Sequence, residues 1–311
     1  MTTEFTEIPG YGPPEGARAV WLKTSKNLNI RLCLIPALSS EKIRGTVLIC
    51  PGRTEFIEKY FDVAREVQAR GFAAVIIDWP GQGLSDRLLG DRLKGHIDHF
   101  NTFTELFSQI MAEIPRHDMP EPYLALAHSM GGAITLSALL QNQITLKAAA
   151  FCAPMWGIKR PFSGFSTLVK LMQILGRSKA YATKPGPPET FTTNIVTYDE
   201  PLWQMNRDLT DKNPDLELGP VTWGWLAAAL KVIDSFAHPD ALKSLTIPIM
   251  VASAAHEKLV DNASHARIAN LLPDCEHIEI DAARHELLME KLEKRNIFWQ
   301  GFDRLLLRAG V

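Results

Sequence analysis

The stretch Tyr123–Ile134, "YLALAHSMGGAI", decides the fold. Its opening residues are an apolar, strand-like run, two glycines mark a turn, and the chain then returns to an apolar, helix-compatible segment. Ser129 stands at the junction. A serine between a strand and a helix has two common uses. It caps the helix by accepting bonds from free backbone N–H groups, or it is a nucleophile held on a sharp turn.

The segments around this stretch repeat its pattern. "GTVLIC" (45–50) and "FAAVIID" (72–78) precede it, and "LKAAAFCAP" (146–154) and "IPIMVASA" (247–254) follow it, each bounded by turn residues. Short apolar runs of this kind are strands buried on both faces, and most are separated by helical patterns. One such helix carries Ile57, Tyr60, Phe61, Ala64 and Val67 at helical spacing and ends at Gly71. Alternating βα units imply an α/β fold with a mostly parallel, doubly wound sheet. At the N-terminal end "RAVWLKT" and "LNIRLCLIP", separated by the polar "SKN", read as an antiparallel hairpin.

Between Pro154 and about Ser235 the alternation breaks down. This region holds "KPGPPET", four of the seven tryptophans and the amphipathic pieces "FSTLVKLMQILG" and "WGWLAAALKVI". It reads as a helical insertion, a cap over 155–235, on a core of 1–154 and 236–311. A segment leaving the C-terminal ends of the strands lies where open α/β sheets bind ligands. Phe165, Leu168, Leu171, Met172, Leu175 and Trp225 either line an acyl channel there or close the cap's own core; for each one singly, core is the expectation.

With 33 Lys plus Arg against 35 Asp plus Glu, the chain has no electrostatic footprint for nucleic acid or for strongly anionic membranes. A neutral or amphiphilic small ligand fits better. Cys33, Cys50, Cys152 and Cys275 have no Cys-x-x-Cys spacing, and buried free thiols in a reducing compartment are expected. The N-terminus has no basic start followed by an apolar run, and no apolar stretch approaches the ~20 residues of a membrane span. The expectation is a cytoplasmic protein, with peripheral contact at the inner membrane face left open.

A nucleophilic serine needs a base and an acid to orient it. On a strand–turn–helix elbow the chain order is serine, acid, histidine. Glu257 follows the strand "IPIMVASA" in its turn, and His285 follows the strand in "HIEIDAARHELLME". Asp261, the other acid nearby, reads as the cap of the next helix. Donors for a developing oxyanion are the backbone N–H of Met130, at a helix N-terminus, and that of Arg53, in the loop Pro51-Gly52-Arg53 after "GTVLIC".

"CPGRTEF", "IIDWPGQGLSD", "AHSMGGAI" and "NPDLELGPVTWGWLAAAL", in that set and order from about Gly45 to His285, make the chain resemble the α/β-hydrolase superfamily, in its monoacylglycerol lipase and bacterial lysophospholipase branch. The resemblance implies Ser129 as nucleophile, Glu257 as acid, His285 as base, the Arg53 and Met130 N–H groups as oxyanion hole, a helical cap and no cofactor. It departs from the family pattern at three places. Ala127 replaces the first elbow glycine, Glu257 stands where most relatives have aspartate, and Pro51 replaces the histidine of a His-Gly pair.

Two other motifs give weaker signals. His96, Asp98 and His99 in "GHIDHF" lack the further ligands a metal site needs. Gly81 and Gly83 match neither a dinucleotide nor a phosphate-loop fingerprint, and Asp78 beside them reads as structural. The expected activity is a serine hydrolase of carboxylic esters, acting on a single-chain lipid such as a monoacylglycerol or lysophospholipid. The alternatives are an esterase, thioesterase or C–C hydrolase for a small metabolite, and a non-catalytic binder on the same scaffold.

Overall fold

The strands on either side of Ser129 join one eight-stranded sheet. The computed structural model describes residues 4–38, 43–184, 186 and 189–311. In chain order its regular elements are β1 (Arg18–Lys23), β2 (Asn29–Ile35), β3 (Thr46–Cys50), α1 (Phe61–Ala69), β4 (Ala73–Ile77), α2 (Asn101–Glu113), β5 (Tyr123–His128), α3 (Met130–Leu140), β6 (Ala148–Cys152), α4 (Phe165–Ile174), α5 (Glu200–Lys212), α6 (Trp223–Ser235), α7 (Pro239–Lys243), β7 (Ile249–Ala254), α8 (Asn262–Ala269), β8 (Cys275–Ile280) and α9 (Leu292–Ala309). The sheet order is β1-β2-β4-β3-β5-β6-β7-β8. The β1–β2 hairpin is antiparallel, β2 joins β4 antiparallel, and every pairing from β4 to β8 is parallel.

Strand periodicity sorts side chains to two cores. Val47 and Ile49 of β3 pack on the face covered by α1 and α9, whereas Leu48 and Cys50 pack on the face covered by α2, α3 and α6. Helix α3 is buried from Met130 to Leu139. A helix apolar on all sides has no solvent face to present, and α3 lies between the sheet, α2 and α6. Its N-terminus, where Ser129 stands, is thereby held rigidly against the central strands.

The helix expected from Ile57 begins as a 3₁₀ turn, Ile57–Tyr60, before α1. Glu58 and Lys59, which would be its polar face, are instead buried in ion pairs. After β6 the chain forms α4, α5 and α6 before returning through α7 to β7. Short bridges pair Ile158 with Val260 and Gly95 with Val221, so both ends of this stretch touch the loops at the C-terminal edge of the sheet.

One expectation needs correcting. Leu171 and Leu175 are not core: they are 48% and 61% exposed, and Ile174 between them is 82% exposed. Helix α4 packs on α6 along one side only, and Val169 is its sole buried residue. The apolar face of α4 is wider than its contact with α6.

Candidate active site

Ser129 occupies a sharp turn with φ 48° and ψ −114°. A non-glycine residue in this region carries strain of about 1–3 kcal/mol, held in place by the surrounding structure. Four backbone bonds hold it: the Ser129 N–H donates to the Cys152 carbonyl (3.1 Å), and its carbonyl accepts from Gly132 (3.0 Å), Ala133 (3.3 Å) and Met155 (2.9 Å). The Ser129 side chain makes no capping bond to α3, so the reading of this serine as a helix cap is set aside. Gly131 is required by close approach, because a Cβ there would lie 2.1 Å from the Cys50 carbonyl oxygen. Alanine suffices at the other small position, where Ala127 is fully buried on β5.

The loops after β5, β7 and β8 bring three expected residues together. The Ser129 hydroxyl donates to His285 Nε2 at 2.9 Å, and His285 Nδ1–H donates to Glu257 Oε2 at 2.7 Å. The second oxygen of Glu257 accepts the N–H groups of Lys258 (2.8 Å), Leu259 (2.7 Å) and Val260 (3.2 Å). Burial by itself would raise the Glu257 pKa, but the hydrogen bond and charge of His285 and these N–H donors hold it at about 2. Asp261 is elsewhere engaged, capping α8 through the Ala263 N–H.

The loop Pro51-Gly52-Arg53 after β3 is tied down by a residue that the sequence motifs do not mark. Buried Glu55 accepts the Gly52 N–H and the Tyr60 hydroxyl (2.6 Å) on one carboxylate oxygen and Lys59 Nζ (2.9 Å) on the other. His128, next to Ser129 in sequence, donates from Nδ1 to the same carboxylate (3.0 Å) and from Nε2 to the His285 carbonyl (3.3 Å). Burial would lower the His128 pKa, yet the Glu55 charge raises it above the ordinary value. Lys59 also reaches Glu286 at 2.6 Å. One carboxylate therefore joins the loops after β3, β5 and β8. Trp79 Nε1 on the Pro51 carbonyl (3.0 Å) and Gln82 on the Gly52 carbonyl (2.7 Å) complete the support that a histidine at position 51 would otherwise be expected to give.

The Gly52 N–H is thus occupied, whereas neither the Arg53 nor the Met130 N–H has an acceptor among the loop and cap contacts of the described residues. Met130 follows Ser129 in the chain, and Arg53 lines the same cavity as Ser129. Ser129, His285 and Arg53 line a cavity of about 320 Å³ whose apolar wall includes Met155, Phe165, Trp225 and Leu226. Phe165 and Trp225, from α4 and α6, close it from above the sheet.

His96 has a structural place: Nδ1 bonds Thr222 Oγ1 at 2.7 Å, at the start of α6, and Nε2 bonds Asp98 at 3.1 Å. Among the described residues no group of His, Cys, Asp and Glu is arranged to hold a metal ion. Asp78 is buried and takes the Ile57 and Leu84 N–H groups and the Arg31 guanidinium.

An eight-stranded α/β sheet with a serine elbow after its fifth strand, and acid and histidine after the last two, is the α/β-hydrolase fold. The chain belongs to the family described as serine aminopeptidase, S33, which matches residues 41–292. It is 31% identical over 273 residues to lysophospholipase L2 of Escherichia coli strain K12, covering 81% of this chain and 77% of that one. It is 28% identical to a probable lysophospholipase L2 of Haemophilus influenzae, covering 85% and 84% of the two chains. Among solved structures it superposes on a soluble variant of monoglyceride lipase from Saccharomyces cerevisiae, crystallised with a substrate analogue, with a TM-score of 0.73 at 14% identity over 95% of this chain and 97% of that one.

Proposed function

We propose that the protein hydrolyses the carboxylic ester of single-chain lipids through an acyl-enzyme. The observation that carries this reading is the hydrogen-bonded line Ser129–His285–Glu257 at the wall of an apolar cavity. The chain's likeness to lysophospholipase L2 of Escherichia coli and to the probable lysophospholipase L2 of Haemophilus influenzae supports it. In this mechanism Ser129 Oγ attacks the ester carbonyl as its proton passes to His285 Nε2, and Glu257 steadies the imidazolium that forms. The Arg53 and Met130 N–H groups hold the oxyanion. His285 then gives its proton to the departing alcohol as the C–O bond breaks. Water, activated by the same imidazole, cleaves the acyl-enzyme and restores Ser129. A cavity at the small end of the range for ligand pockets suits one acyl chain better than two.

Residues 155–235 serve in this reading as the cap, on a core of 1–154 and 236–311. No helix among the described residues is long and apolar enough to cross a membrane. Helix α4 supports peripheral contact instead. Phe162, Leu171, Ile174 and Leu175 are exposed around it, and from Ala153 to Pro188 the sequence has six Lys and Arg but no Asp or Glu. Exposed apolar side chains amid cations suit an anionic lipid surface. The Ile174→Glu/Leu175→Glu variant should lose at least about tenfold in partitioning to phosphatidylglycerol vesicles, since each buried aliphatic side chain is worth about 1.5–3 kcal/mol. Equal sedimentation of variant and parent with the vesicles would remove α4 as the contact.

A matched ester panel tests the activity. Long-chain monoacylglycerol, lysophosphatidylcholine, diacyl phospholipid, and short and long p-nitrophenyl esters are compared by kcat/KM. Preference for one long acyl chain is expected, by at least about tenfold over the short ester, because each additional buried CH₂ contributes about 0.8 kcal/mol. Activity confined to short activated esters would keep the mechanism and replace the lipid by a small metabolite.

A further inference from the structure

The cavity beside Ser129 has a cation on its wall with no anion to match. Arg53 lines the cavity. Its Nη2 donates to the Gly219 carbonyl, and the guanidinium carbon lies 5.5 Å from the centre of the Trp225 ring. Its Nε–H is buried and has no acceptor among the described residues. The carboxylates around the cavity are already engaged: Glu55 with Lys59 and His128, Glu286 with Lys59, and Glu257 with His285. Burial lowers the Arg53 pKa only to about 10, so the side chain keeps its charge at neutral pH. The surrounding loop is shaped to it, because a Cβ on Gly95 would lie 2.2 Å from Nη2. Lys159, a second cation on the same wall, also donates to a backbone carbonyl, that of Glu257.

Arg53 is half-buried, and a guanidinium partly withdrawn from water without a carboxylate is costly to keep. An anion brought by the substrate would complete it, and the planar fork of arginine matches phosphate in two-point hydrogen bonding. We infer that Arg53 binds the phosphate of the substrate head group, so that the preferred ester is a phosphate-bearing single-chain lipid rather than a neutral monoacylglycerol. The backbone N–H of the same residue holds the oxyanion in the mechanism above, so one residue would serve both the reacting carbonyl and the head group. The assignment rests on the lipid-ester reading and adds a head-group specificity to it.

The test compares lysophosphatidate and monoacylglycerol of one acyl chain with the parent protein, Arg53→Lys and Arg53→Gln. The readout is the ratio of the two kcat/KM values, which is independent of any general loss of activity. In Arg53→Gln that ratio is expected to fall at least about tenfold, mainly through KM for the phosphate lipid, with Arg53→Lys in between. An unchanged ratio, or equal losses on both lipids, would overturn the inference and leave Arg53 a structural role. A binding arm uses Ser129→Ala protein with and without Arg53→Gln, titrated with each lipid. It reads the phosphate contact even if neither lipid is turned over, whereas absence of turnover by the folded parent counts against the lipid-ester reading alone. Competition by glycerol 3-phosphate that weakens in Arg53→Gln supports a head-group site. Competition by inorganic phosphate alone would make it a free-phosphate site and overturn the proposal.

Discussion

The Ser129→Ala variant is expected to lose long-chain ester hydrolysis by about 10⁴-fold or more in kcat while remaining folded, and to lose covalent labelling by a fluorophosphonate. The substitution removes one oxygen from a site whose strained backbone and flanking bonds persist. His285→Ala should cost about as much, and the double variant little more, because the two residues act as one unit. Glu257→Gln keeps the shape but not the charge that steadies the imidazolium; a loss of up to about 10⁴-fold is expected. Retention of most activity by Ser129→Ala would overturn the mechanism. The Glu257 carboxylate also has a signature in stability. Its folded pKa of about 2 lies below the ordinary 4.5, so its contribution is present above 4.5 and lost as pH falls toward 2. Unfolding midpoints of parent and Glu257→Gln should therefore converge on acidification through that window.

The largest loss of stability is expected from Arg31→Met. Arg31 lies on β2 with no exposed surface. Its two terminal nitrogens each donate to an oxygen of Glu58 at 2.8 Å, and its Nε donates to Asp78 at 2.8 Å. Removing the guanidinium leaves two carboxylates buried side by side, a situation that costs about 3–5 kcal/mol. For a chain of this length that corresponds to a fall of roughly 5–8 °C in Tm. Restoring part of the loss by adding Glu58→Leu would identify the orphaned charge, rather than lost packing, as the cause. A drop under 1 °C for Arg31→Met alone would mean that water reaches the pair.

Much of this arrangement was legible in the sequence because its signals are local. "YLALAHSMGGAI" carries strand, turn and helix within twelve residues, and Glu257 and His285 each stand in the loop just after a strand, β7 and β8. Asp261 read as a helix cap and is one. What the sequence hid depends on distant partners. Glu55, Glu58 and Lys59 look like the polar face of an ordinary helix; only the fold sets Lys59 against Glu286, 227 residues away, and Arg31 against Asp78. An arginine in the middle of the apolar run "LNIRLCLIP", and a histidine directly before the serine, were the available hints. The exposed leucines of α4 escaped for a related reason: periodicity gives the width of an apolar face but not the width of what covers it.

Ser129, His285 and Glu257 all lie outside residues 155–235, while Phe165 and Trp225 of the cavity wall lie within them. The reacting groups and most of the apolar wall thus lie on different stretches of the chain. A lineage can exchange one without rebuilding the other, and an engineer can graft a relative's insertion onto this sheet. The seams of such a graft are already marked. The Arg53 guanidinium bonds the Gly219 carbonyl, and Lys159 bonds the Glu257 carbonyl; a transplanted segment has to supply both partners if the loops bearing the chemistry are to keep their positions.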